Sequence, residues 1–218
     1  MFPLSTVLFP HASLPLHVFE ERYRALMADC LAGDGEFGVV LISRGSEVGG
    51  GDQRVDVGTV ARLTEVAGLG DGRMVVMSQG KERILIDRWL DDAPYPRAVV
   101  EELVEQHLSD PGGAAPALTS AEAAVRRLRS LLSELGEVPA LTHDLDIGGD
   151  PEEAGWHLCE LAPLTLVDRQ DLLACSDLAV RMELLAELCT ALSGDVVHLL
   201  AQGGGDGRGG RHGDQGEG

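Results

Sequence analysis

From Leu4 to about Glu105 apolar and polar residues alternate or apolar residues gather in short runs, the patterns of half-buried and fully buried β-strands. Strands are predicted on this basis at about 4–8, 14–18, 36–42, 55–67, 73–79, 82–90 and 97–104. Asp71-Gly72 lies between the runs GTVARLTEVAGL and RMVVMSQG and supplies the positive φ of a tight turn, so a hairpin is expected over 68–73. SRGSEVGGGDQR, residues 43–54, is polar and glycine-rich and predicts a long mobile loop. Pro94 and Pro96 interrupt pairing before the last strand.

The period changes after SDPGGAAPA, residues 109–117. Thr119-Ser-Ala-Glu122 has capping-box spacing, and Val125, Leu128, Leu131, Leu132 and Leu135 then share a face, which predicts a helix over 120–135. Asp150-Pro151-Glu152-Glu153 combines a cap, a first-turn proline and an acid three residues on, opening a helix that ends near Leu161, before Pro163. A short helix follows around 168–175. Leu178, Met182, Leu185, Cys189, Leu192, Val196 and Leu199 then step by four and three along an amphipathic helix, with an interruption or bend expected near Gly194. From Gly203 onward no apolar side chain remains, and a disordered tail is expected. The organisation expected is a β subdomain over 1–108, a linker over 109–118, a helical subdomain over 119–202 and a tail over 203–218, an α+β chain.

LPLHVFEERYRALMADCL, residues 14–31, packs a histidine, acids, arginines, a tyrosine and a cysteine into one short stretch, yet periodicity gives nearly every one a structural task. With a helix beginning near Glu20, Phe19, Tyr23, Leu26, Met27 and Cys30 are expected to share its buried face. Glu20 and Glu21 occupy the first turn, where the helix dipole favours acids, and Glu20 stands four residues before Arg24 in the order that favours an ion pair. His17 alternates with Leu16 and Val18 and is expected at the solvent-facing rim.

Charge narrows the partners. Lys+Arg total 17 against 36 Asp+Glu, a net charge of -19, with eight more acids than bases up to Asp110 and eleven more after it. Such a surface repels phosphate polyanions and anionic bilayers, so no nucleic acid or membrane partner is expected. The first residues lack the basic segment and uninterrupted apolar stretch of a secretory signal, and no segment is expected to be apolar enough to span a bilayer, which points to the cytoplasm. Cys30, Cys159, Cys175 and Cys189 form no CxxC and are expected as free, mostly buried thiols.

Known catalytic patterns are missing from these residues. Gly80-Lys81 is followed by Glu82 and carries Val75 where a phosphate-binding loop needs glycine; the same lone lysine has no serine partner of Ser-Lys type, and no Gly-x-Ser-x-Gly occurs. Asp144 and Asp146 mimic the start of a calcium loop, but glycines at 148 and 155 replace its later ligands, and neither His143 nor His157-Leu-Cys159 has a companion at zinc spacing. Gly68 to Gly72 lies between strands and opens no helix, so it is a turn and not a dinucleotide site. No catalytic residue, metal or cofactor is expected.

VLFP, LPLHVFEERYRALMADCL, FGVVLI, EVG, VGTVARLTEV, DGRMVVMSQGKERILI and APYPRAVVEEL occur in the order of the N-terminal substrate-binding domain of Lon proteases. The chain resembles the variant found as short stand-alone bacterial proteins, densely over residues 3–105 and more loosely through Trp156 and Arg169-Gln-Asp-Leu-Leu, with glutamate at 21 where many such relatives carry proline. The resemblance implies an antiparallel, PUA-like β pseudo-barrel containing one early helix, followed by a helical bundle, in a non-enzymatic protein that binds unfolded or tagged polypeptides or a dedicated protein partner, an adaptor or chaperone-like factor. Trp89, at odd spacing from Ile84 and Ile86, is expected to face away from them and to form an exposed aromatic patch with Tyr95; His17, Glu21 and Arg22 mark a second candidate surface. Two other classes stay open. An enzyme of unrecognised type needs titratable groups converging in a pocket, and an RNA-binding barrel needs Arg44, Arg54, Arg62, Arg73, Arg83, Arg88 and Arg97 to cluster in space.

Overall fold

The computed structural model describes residues 1–44, 53–106, 114–142 and 147–203. Most of the expected loop and linker, the calcium-like stretch at 143–146 and the tail from 204 lie outside the described residues. The strands are β1 (Phe2–Leu4), β2 (Ser13–Val18), β3 (Glu36–Arg44), β4 (Gln53–Gly68), β5 (Met74–Leu90) and β6 (Arg97–Glu102), with helix α1 (Glu21–Ala32) between β2 and β3. Helices α2 (Ala114–Glu134), α3 (Pro151–Leu161), α4 (Leu166–Ala174) and α5 (Leu178–Gly203) follow, so the chain is α+β as expected.

The sheet runs β1-β3-β4-β5-β2, with β6 also on β5. β1 is parallel to β3 and every other pairing is antiparallel. The expected hairpin joins β4 to β5: Gly70 and Gly72 have φ of 80° and 85°, Leu69 N–H donates to the Arg73 carbonyl, and the Asp71 carboxylate accepts from the Arg73 backbone and guanidinium. Register shifts between Thr59 and Ala61 and between Leu63 and Glu65 mark irregularities in β4, of the kind that bends long strands. The two strands expected at 73–79 and 82–90 form one 17-residue strand, whose first half pairs with β2 and second half with β6.

The first expected strand, at 4–8, is displaced: pairing ends at Leu4, and Val7 to Phe9 are buried without strand structure. Their carbonyls are occupied in another way. Leu8 accepts from the Thr59 hydroxyl at 2.6 Å, and the Phe9 carbonyl lies so near Gly80 that a Cβ there would stand 2.2 Å from its oxygen. Gly80 N–H donates to the Ala12 carbonyl and its own carbonyl accepts from His11, so glycine permits this turn to lie against the middle of β5.

The helical half follows its apolar stripes, with boundary corrections. α2 begins at Ala114, and the Thr119 hydroxyl donates to the Ala115 carbonyl within the helix, so Thr119 is not its cap; Leu135 lies beyond the helix end and is exposed. Asp150 does cap α3, accepting from the Glu152 and Glu153 amides. α5 is unbroken through Gly194, because that residue faces open space and the packed stripe outweighs its low helix propensity. Contrary to expectation, Leu178–Ala201 is long and apolar enough, by length and composition, to cross a bilayer. Here α5 packs along α2, burying Met182, Leu185, Cys189 and Val196.

One buried cluster runs from Phe9, Met27 and Val39 of the β half to Trp156, Leu158 and Leu185 of the helical half. At the junction Glu105 is shared by two arginines: Arg83 of β5 stands 2.9 Å from one carboxylate oxygen and Arg181 of α5 stands 2.9 Å from the other. Their side chains are 3%, 8% and 0% exposed for Arg83, Glu105 and Arg181. Arg83 also donates to the carbonyls of Leu173 and Cys175, and the Arg181 guanidinium lies 3.6 Å from the centre of the Trp156 ring. Burial pulls the Arg83 pKa down while Glu105 opposes that shift. Elsewhere Tyr95, in the β5–β6 connection, ties that connection to α1 by donating to the Asp29 carboxylate at 2.6 Å.

Glu105→Ala leaves two buried guanidinium groups without their counter-charge, and is expected to lower unfolding free energy by about 3–5 kcal/mol in chemical denaturation. Gly80→Ala and Gly194→Ala have opposite expected signs: a loss of roughly 1–3 kcal/mol from collision with the Phe9 backbone, and a gain of about 0.5–1 kcal/mol in an open helical position. The Asp29 carboxylate pushes the Tyr95 phenol up to about 12. A raised folded value makes the hydrogen-bond contribution fully present below the ordinary phenol pKa of about 10 and lost as pH climbs from there through the folded value. In a Tyr23→Phe background, phenolate absorbance of Tyr95 is expected to titrate near the upper value, and Asp29→Asn to move it back down.

Candidate functional site

The SLPLHV alternation of β2 buries Leu14, Leu16 and Val18 and turns Ser13, Pro15 and His17 outward. β2 and β1 stand at opposite ends of the strand order, yet both line one cleft of about 350 Å³, so the sheet curls until its ends face each other across a gap. Leu4, Leu14 and Leu16 contribute apolar walls, and the Phe2 ring stacks on Tyr23 at 4.0 Å and 8°. Burial and stacking on both sides hold this floor in place.

Phe19 forms the mouth and is 55% exposed, which corrects its expected place on the buried face of α1. The physical reason lies in the helix start. Tyr23, Leu26, Met27 and Cys30 are buried as their helical spacing requires, but Glu20 is the extended N-cap residue, at φ -68° and ψ 138°, so Phe19 precedes the helical phase. The expected Glu20–Arg24 pair fails for the same reason, since four-residue spacing brings side chains together only where both belong to the helix. Glu20 instead pairs with Arg22 at 3.0 Å, and the Arg22 guanidinium lies 4.5 Å from the Tyr23 ring centre. Arg24 lies beside Gly72 at the hairpin.

Of the residues singled out in the sequence, His17 is exposed on the cleft wall, Arg22 does not line the cleft but pairs with Glu20, which does, and Glu21 is exposed in the first turn of α1, facing an open depression shared with Arg24, Arg73 and Met74. Trp89 and Tyr95 do not form the expected patch. Trp89 packs with Val40, Ile84 and Ile86, whereas Tyr95 packs on the main cluster and bonds Asp29. A register shift between Ile86 and Arg88 adds a residue to β5, reverses its inward-outward parity and returns Trp89 to the side of Ile86. Arg54 covers the indole at 4.4 Å. Phe19 was the missed residue, and its signal was the cap: an aromatic one position before an N-cap lies outside the periodic stripe.

Among the described residues reactive groups do not converge on the cleft. Among the described residues no group of three or more His, Cys, Asp or Glu is placed to hold a metal. Burial pushes the Cys159 and Cys189 thiols up to about 12, which keeps them neutral and weakly nucleophilic near pH 7. A polar hollow of about 390 Å³ at the junction brings Lys81 near Glu82, Glu102 and Glu152.

Residues 1–191 match the family model for the ATP-dependent protease La (LON) substrate-binding domain. The Lon protease of Flavobacterium johnsoniae is 35% identical over 103 residues, 47% of this chain and 13% of that protein. Lon protease 2 of Herpetosiphon aurantiacus is 29% identical over 188 residues, 84% of this chain and 22% of that protein. The chain thus spans less than a quarter of these relatives. Among solved structures, the Lon N-terminal domain protein from Xanthomonas campestris aligns with a TM-score of 0.55 and 26% identity, covering 84% of this chain and 94% of that one. The N-terminal domain of Mycobacterium avium complex Lon protease shares the fold at a TM-score of 0.61 and 16% identity, covering 86% of this chain and 96% of that one. With a match across most of its length and the same fold in solved N-terminal domains, the chain belongs to the Lon substrate-binding domain family.

Proposed function

We propose that this chain is a non-catalytic polypeptide-binding module, acting in the cytoplasm as an adaptor or chaperone-like factor that holds unfolded or tagged segments, without cofactor or metal. The observation that carries the proposal is Phe19: a large apolar side chain, more exposed than buried, at the mouth of an apolar cleft built by β1, β2 and α1. An exposed aromatic beside a pre-formed apolar groove is the anchor that capture of apolar side chains requires. Family membership supports the substrate-binding part, and the exposed His17 with Glu20, held by Arg22, gives the groove its polar rim.

RNA binding finds less support. Arg62, Arg73, Arg83 and Arg88 are each paired with an acid of the same chain, and Arg97 donates to the Asp91 carbonyl, so these guanidinium groups are engaged internally. The net charge of -19 opposes a polyanion further.

Fluorescence anisotropy with a labelled, permanently unfolded polypeptide and a folded control tests the proposal. Micromolar binding to the unfolded chain alone is expected, weakened about tenfold by Phe19→Ala and measurably by Arg22→Ala. Unfolding midpoints are expected to stay put for Phe19→Ala because the side chain is exposed. Trp89→Ala and Tyr95→Phe are expected to leave affinity within about twofold. Absence of binding, or binding indifferent to Phe19, contradicts the proposal.

A further inference from the structure

Resting on the polypeptide reading of the cleft, the backbone around it defines how an occupant lies. Among the described residues β2 pairs only with β5, and β1 only with β3, so within them each end of the curled sheet has one edge without a strand partner. Such an edge carries unpaired amides and carbonyls at strand spacing, a template for another extended chain. The adjoining cleft asks for period-two side chains, since Leu14, Leu16 and Phe2 receive one face of an added strand while its other face stays in water. Pro15 stands in the middle of β2 without an N–H, so this edge is richer in acceptors than donors and favours an occupant that supplies N–H groups.

Charge specifies the outward residues. Among the described residues Glu20 is the only Asp, Glu, Lys or Arg lining the cleft, its neighbour in sequence Glu21 is exposed on the adjoining depression, and Arg22 is already engaged by Glu20. The first 110 residues carry eight more acids than bases. We propose that the cleft takes an extended polypeptide segment in which apolar and basic residues alternate, added as a strand to the free edge of β2 with its apolar face on the Phe2 and Leu16 floor and its lysines or arginines toward Glu20 and Glu21. The substrate class is therefore a basic, strand-forming segment, which a folded donor keeps buried and an unfolded one exposes.

The probe is a short labelled peptide of alternating Val and Lys, measured by anisotropy against the full chain. N-methylation of one alternate set of its amides removes the donors that face β2, and the other set faces solvent. One methylated version is expected to bind about tenfold more weakly and the other within about twofold of the parent. Replacing Lys by Glu is expected to weaken binding at least tenfold at low salt, and Glu20→Gln combined with Glu21→Gln to lower the salt dependence. Equal affinity of both methylated peptides, or an acidic peptide bound as well as the basic one, overturns the inference. If the unfolded polypeptide still binds in a Phe19-dependent way, only strand addition has failed; if neither probe binds, the cleft itself is not the site.

Discussion

A single carboxylate, Glu105, stands between guanidinium groups from the sheet and from the last helix, and the arrangement of the two halves depends on it. Arg83 and Arg181 are both buried, and each alone would be a costly unpaired charge. Their sharing of Glu105, the Trp156 face beneath Arg181 and the carbonyls at Leu173 and Cys175 together make the burial tolerable. The geometry is demanding, because two rigid forks and one carboxylate coincide only when β5, the segment after β6, α3 and α5 are all in place. That demand ties the period-two half to the helical half, along with the Gln170 amide bonded to the Val57 carbonyl.

With the bundle fixed against β5, the curl of the sheet has consequences at its other end. β4 and β5 are long and irregular enough to carry the sheet around, and Gly80 lets the Phe9–Ala12 turn sit against β5, so β1 and β2 meet across a cleft without joining. α1 lies beside that gap, tied to the β5–β6 connection by Tyr95 and Asp29. The cleft is thus a product of topology. It is a seam where strand order ends, floored by the Phe2–Tyr23 stack and opened to solvent at Phe19.

Much of this was legible in the sequence because it depends on local periodicity. The β2 alternation, the 68–73 hairpin, the Asp150 cap and the buried stripes of α1 and α5 all follow from spacing between near neighbours. The failures share a different cause. Spacing alone places Trp89 on the wrong face because a bulge reverses parity, and Phe19 because a cap residue resets helical phase. The Arg83–Glu105–Arg181 contact joins positions far apart in sequence, each of which looks like ordinary solvated charge by itself. Nothing in spacing reveals that two such residues meet in a core, and the cleft between β1 and β2 was hidden for the same reason.

The central claim, that the seam between β1 and β2 with Phe19 at its mouth is where polypeptide binds, is tested most directly by amide hydrogen exchange of the full chain with and without a saturating unfolded polypeptide. Added protection is expected to concentrate in residues 13–22, on β2 and the start of α1, while the junction around Glu105 and the α2–α5 face exchange as in the free protein. Protection confined to the polar hollow at Lys81 or to the helical face, with β2 unchanged, would contradict it.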